Sequence, residues 1–125
     1  MKYRLVLIDD SAIVLEVMSR VLADAGFEVR AMSSLRQFVN TVMDWKPHVI
    51  VTDLHMPDMS GAEVCAWLRK QMQTARIPIV FCSSAPEAEL AQLAQQVGAD
   101  GYVSKQAGPE ALPKRLLELC EEIVW

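Results

Sequence analysis

Three acids stand where strand-like runs end. Leu5-Val6-Leu7-Ile8 runs into Asp9 and Asp10, and Val49-Ile50-Val51-Thr52 runs into Asp53. If these two strands lie side by side and parallel, their carboxyl ends share one edge of a sheet, and the three carboxylates fall into one small volume. Open α/β sheets bind ligands at that edge. Two like charges about 4 Å apart repel by roughly 4 kcal/mol at an effective dielectric of about 20, so such a cluster takes a cation or takes up protons. Mg2+ suits it, because that ion accepts an all-oxygen site, keeps several waters and leaves room for phosphate oxygens. The competing reading is structural: Asp10, just before Ser11, is placed to cap a helix.

Five apolar, β-branched runs alternate with five helical patterns, a rhythm that predicts α/β architecture with helices on both faces of a parallel sheet. The strands are expected at Tyr3 to Asp9, Glu28 to Met32, His48 to Asp53, Pro78 to Ser83 and Gly101 to Ser104. The first and third are the most apolar, as central strands covered on both faces should be. In the first helix Val14, Val17, Met18, Val21 and Ala25 recur at helical spacing, and Gly26 ends it as a left-handed cap. Ser34 with Gln37, and Ser60 with Glu63, match the capping-box pattern at the starts of the second and third helices. Leu35, Phe38, Val39 and Val42 are expected to face the core in one, and Val64, Leu68 and Met72 in the other.

The fourth helix is expected to begin near Pro86, with Glu87 and Glu89 where the helix dipole favours negative charge, and to stop at Gly98. Leu90, Leu93 and Val97 anchor it, while Ala88, Ala91 and Ala94 give a small-residue surface suited to shifting or docking. The last helix, near Pro109 to Val124, carries Leu112, Leu116, Leu119 and Ile123 as its buried stripe, and Pro113 must lie in its first turn or break it.

At 125 residues and 52% hydrophobic, residues 1–125 make one ordinary domain with a full core. A net charge of −4 argues against direct nucleic-acid binding, which needs clustered Lys and Arg. Cys65, Cys82 and Cys120 are odd in number, widely spaced and set among apolar residues, the pattern of reduced buried thiols, so a cytoplasmic setting is expected. No segment is expected to span a membrane.

Read together, the motifs Asp9-Asp10-Ser11, Asp53-Leu54-His55-Met56-Pro57-Asp58-Met59-Ser60-Gly61, Ser83 at the end of the fourth strand, and Gly98-Ala99-Asp100-Gly101-Tyr102-Val103-Ser104-Lys105 make a dense match. From first strand to last helix the chain resembles the receiver domain of two-component response regulators. The resemblance implies a flavodoxin-like, doubly wound five-stranded parallel sheet of order 2-1-3-4-5. It implies that Asp53 is the phosphoacceptor for a phosphoryl group from a histidine kinase or phosphotransfer protein. Asp9, Asp10, Asp53 and the main-chain carbonyl of His55 would hold Mg2+. Lys105 would reach back to the acceptor carboxylate and then to the phosphoryl oxygens, Ser83 would donate its hydroxyl to one of them, and Tyr102 would swing with phosphorylation state. Pro57 and Gly61 shape the loop without doing chemistry. Output would pass to a downstream protein effector, or into a homodimer, through helix four, strand five and helix five. By the same resemblance the domain signals rather than catalyses, assisting only its own phosphorylation and dephosphorylation.

The chain departs from the family pattern at Gln106, where proline commonly follows the lysine, often through a cis bond. A cis bond before a non-proline residue costs about 2.5–4 kcal/mol, so Lys105-Gln106 is expected to be trans. Ser83 stands where threonine is frequent, and His55 and Ala85 fall at positions that flank the hydrolytic water. Three rivals remain. A haloacid-dehalogenase-type hydrolase wants an acid two residues after its nucleophile, and position 55 is histidine. A flavodoxin-like nucleotide binder is disfavoured by Asp9 and Asp10, which repel phosphate. A pseudo-receiver would keep the fold as a docking module and never take phosphate.

Overall fold

The computed structural model describes residues 2–57 and 59–122. Five strands, β1 (Arg4–Ile8), β2 (Glu28–Met32), β3 (Val49–Thr52), β4 (Ile79–Ser83) and β5 (Gly101–Ser104), alternate with five helices. These are α1 (Ala12–Asp24), α2 (Leu35–Trp45), α3 (Gly61–Lys70), α4 (Glu87–Val97) and α5 (Ala111–Glu122). All strand pairs are parallel and the order is β2-β1-β3-β4-β5.

Strand alternation splits the core in two. Leu5, Leu7, Val49, Val51, Val80, Cys82 and Val103 point to one face, where Met18 and Leu22 of α1 and Leu112, Leu116 and Leu119 of α5 cover them. Val6, Ile8, Ile50, Ile79 and Phe81 point to the other, under Phe38 and Val42 of α2, Val64 and Leu68 of α3, and Leu90 of α4. β1, β3 and β4 are therefore apolar on both sides, as the sequence requires of central strands.

Helix ends follow local chemistry. Ser11, Ser34 and Ser60 cap α1, α2 and α3, each accepting a hydrogen bond from a first-turn amide, and only Ser60 with Glu63 completes the reciprocal capping box. Gly98 ends α4 at φ 77°, a left-handed conformation that glycine adopts without penalty. Pro113 sits in the first turn of α5, where its missing N–H costs nothing.

Three packing expectations change. In α1 the buried side chains are Met18 and Leu22, while Val17 is 46% exposed; the buried stripe is turned toward Leu22, with Val14, Leu15 and Ala25 packed at its margin. Met72 is 94% exposed because α3 ends at Lys70 and Gln71 turns extended, which swings Met72 off the helix. Ala94 is buried beneath α4 rather than part of a small-residue surface. Ile123 lies outside the described residues.

The amino ends of the strands are laced by polar groups. Arg4 donates its side chain to Lys46 O (2.7 Å) and its amide to His48 Nδ1 (2.9 Å). Arg69 donates to Ala75 O, Ile77 O, Gly98 O and Asp100 Oδ2, and Asp100 Oδ2 also accepts from Ile79 N.

Candidate functional site

The site lies at the opposite, carboxyl edge. Ile8 stands opposite Thr52 in the β1/β3 register, and Asp53 N donates to Ile8 O at 3.1 Å, so Asp9 and Asp53 leave the sheet together. One carboxylate oxygen from each of Asp9, Asp10 and Asp53 lies within 4.8 Å of the others. Asp9 and Asp53 are buried and Asp10 is exposed. The capping alternative for Asp10 is answered locally: the cap of α1 is Ser11, whose Oγ accepts from Val14 N at 3.3 Å, and Ser11 N in turn donates to Asp9 Oδ1 at 2.9 Å.

Asp53 Oδ1 accepts from Leu54 N at 2.9 Å, which fixes the carboxylate plane. The loop beyond is closed by Gly61 N donating to Leu54 O at 2.8 Å. Gly61 is required there by space, since a Cβ would sit 2.5 Å from Asp53 O. The side chains of His55 and Pro57, inside this loop, are exposed. Lys105 follows β5 in a short 3₁₀ turn, Lys105–Ala107, and its Nζ lies 2.9 Å from Asp9 Oδ2 and 3.8 Å from Asp53 Oδ1. The lysine thus sits nearer to Asp9 than to Asp53.

Electrostatics follow from this crowding. Burial holds the Asp53 carboxyl above its ordinary range; Lys105 and the Leu54 amide pull it down, while Asp9 and Asp10 push it up. Burial alone would lower the Lys105 ammonium, but its hydrogen bond to Asp9 and the charges of Asp53 and Asp9 outweigh that and hold it high. Cys82, buried beside the cluster, has its thiol pushed up to about 12 and is inert as a nucleophile. Three carboxylates facing one ammonium leave an excess of negative charge on hard oxygen donors, a set that fits Mg2+.

Ser83 ends β4 almost fully buried, and its Oγ accepts from Ala85 N at 3.3 Å. Tyr102 of β5 is half-buried against the α4 side of the core. No cis peptide bond occurs among the described residues, and Lys105-Gln106 is trans. Two features escaped the sequence reading. Thr52 Oγ1 donates to Asp53 O at 2.9 Å, and Ser104 Oγ donates to Ala85 O at 2.9 Å. Neither has a spacing signal: Thr52 bonds its neighbour's carbonyl, which no motif announces, and Ser104 meets Ala85 only through the fold.

Comparison with known proteins agrees with this geometry. Residues 5–117 match the family model described as response regulator receiver domain. The transcriptional regulatory protein GltR of Pseudomonas aeruginosa is 27% identical over 92% of this chain, and the phosphate regulon transcriptional regulatory protein PhoB of the same species is 30% identical over 90%. The match covers 48% of GltR and 49% of PhoB, so the chain spans about half the length of these curated relatives. Among solved structures, the chemotaxis response regulator CheY4 of Vibrio cholerae superposes with a TM-score of 0.85 at 30% identity, covering 95% of this chain and 99% of that one. No described helix is long and apolar enough to cross a membrane. The chain belongs to the response regulator receiver domain family.

Proposed function

We propose that residues 1–125 form a single receiver domain that accepts a phosphoryl group on Asp53 from a phosphohistidine of a partner kinase or phosphotransfer protein. The observation that carries this reading is the convergence of Asp9, Asp10 and Asp53 on one volume, with the Lys105 ammonium among them. Asp9, Asp10, Asp53 and the main-chain carbonyl of His55 would hold Mg2+. Bound there, the ion neutralises charge and aligns donor, phosphorus and acceptor.

The chain's own groups then have distinct tasks. The Leu54 N–H fixes Asp53 Oδ1, leaving Oδ2 as the nucleophile. Its lone pair forms the new P–O bond as the P–N bond to the donor imidazole breaks, and the bonding pair returns to the imidazole nitrogen. Lys105 offsets charge on the transferred group, and the Ser83 hydroxyl donates to one of its oxygens. The acceptor thereby becomes a group of near −2 charge with three strong acceptor oxygens, which draw Ser83 and Lys105 inward. Space vacated by Ser83 becomes available to the half-buried Tyr102, which alters the surface of α4, β5 and α5. That surface would meet a downstream protein effector or a second copy of the domain. Three buried free thiols suit a reducing cytoplasm.

The test is incubation with Mg2+ and a small phosphodonor such as acetyl phosphate, followed by intact mass. The native chain should gain one phosphoryl unit and the Asp53→Ala variant none. No gain on the native chain overturns the reading in favour of a docking module that keeps the fold without taking phosphate. Pull-down with phosphorylated and plain protein then identifies the output partner.

A further inference from the structure

The residues flanking Lys105 hold the loop after β4. Ser104, the last residue of β5 and buried, uses one hydroxyl twice: Oγ donates to Ala85 O at 2.9 Å and accepts from Gln106 N at 3.2 Å. Gln106 reaches the same loop with its side chain, Nε2 donating to Ser84 O at 2.9 Å. Ser83 completes the arrangement by accepting from Ala85 N at 3.3 Å. Both carbonyls of the Ser84-Ala85 segment are thus held by the neighbours of Lys105, and its second amide is held by the Ser83 hydroxyl.

We propose that Ser104 and Gln106 form a clasp that makes the Ser83 hydroxyl and the Lys105 ammonium move as one unit, so that both reach a phosphoryl group on Asp53 together. The proposal rests on the phosphoacceptor reading of the site. Ser104 and Gln106 are positioning residues, since neither touches Asp53. Residues 83–85 cannot advance toward Asp53 independently of residues 104–106 without breaking two hydrogen bonds. Glutamine is what permits this. A proline at position 106 would have no N–H for Ser104 Oγ and no side-chain donor for Ser84 O. The clasp therefore replaces the rigidity of a proline ring with a donated link between two loops.

The experiment compares native protein with Gln106→Met, which keeps length and loses the donor, each with and without Ser83→Ala. Phosphorylation of Asp53 by acetyl phosphate and Mg2+ is followed by intact mass. With Ser83 present, Gln106→Met should slow phosphorylation about two- to tenfold, the scale of one lost hydrogen bond. With Ser83→Ala the same substitution should change little, because the group it positions is gone. A native rate in Gln106→Met, or an equal effect in both backgrounds, overturns the proposal. A second readout needs no phosphoryl chemistry: amide hydrogen exchange at Ala85 in metal-free protein should speed up about two- to tenfold in Gln106→Met. Unchanged exchange also overturns the clasp. If exchange responds but the native chain takes no phosphate, the phosphoacceptor reading fails and the positioning role fails with it, so the two failures are told apart.

Discussion

Lys105 Nζ makes its hydrogen bond to Asp9 Oδ2 at 2.9 Å and stands 3.8 Å from Asp53 Oδ1. The ammonium is therefore held in reserve, bonded to a candidate metal ligand and one short movement from the candidate acceptor. Asp9 is 2% exposed, and its other oxygen already accepts from Ser11 N.

Replacing Lys105 by methionine should destabilise the metal-free protein by about 2–4 kcal/mol, because a buried carboxylate would lose its counter-charge. Urea unfolding with and without Mg2+ measures this. The loss should shrink when Mg2+ is added, since the ion supplies positive charge to the same oxygens; an equal loss in both conditions would contradict the shared-cluster account.

Asp53→Asn should raise the Tm of the metal-free protein by a few degrees, on the order of 2–4 °C. The sign follows from linkage. The folded chain holds the Asp53 proton more tightly than the unfolded chain, whose ordinary value is 3.8, chiefly because the carboxyl is buried. Ionisation therefore opposes folding, a penalty that sets in above the unfolded value and is complete above the folded one. Asparagine removes it. Thermal melts at neutral pH in a chelating buffer decide the point, and a lowered Tm refutes it.

Gly61→Ala should cost about 2–4 kcal/mol and weaken Mg2+ binding, because the new methyl meets rigid backbone at Asp53 O and Leu54 Cα. Relief would require moving the strand end that carries Asp53. Urea midpoints and Mg2+ affinity from isothermal titration calorimetry should change together.

His48 gives the chain a pH-dependent contribution far from the acids. Burial first, and the charge of Arg4 second, hold its pKa below 6.5, while its Nδ1 accepts from Arg4 N. A base with a lowered folded pKa contributes stability above its unfolded value, and that contribution is lost as pH falls through 6.5 toward the folded value. The urea midpoint should drop between about pH 7.5 and pH 5.5, and His48→Asn should flatten that part of the profile. An unchanged slope in His48→Asn would assign the effect elsewhere.

Much of this architecture is legible in the chain because its signals are local. Ser34 and Ser60 announce helix starts, Gly98 a helix end, and unbroken apolar runs in β1, β3 and β4 the two-faced sheet. The three acids are legible because Asp9 and Asp53 directly follow strands and Asp10 adjoins Asp9. What sequence does not show is chemistry between distant segments. Arg69 and Asp100 are 31 residues apart, and Gln106 and Ser84 are 22 apart, so no periodicity links them. Met72 misleads for the opposite reason: its spacing continues α3, but the chain turns extended at Gln71 before reaching it.

The polar lacing at the amino ends of the strands has an evolutionary corollary. Arg4, His48, Arg69 and Asp100 fasten one pole of the molecule, whereas Asp9, Asp53, Ser83 and Lys105 occupy the other. Substitutions at the acidic pole need not loosen the anchorage at the opposite pole. The acidic pole can thus tolerate change in sequence without cost to the fastening of the strand starts.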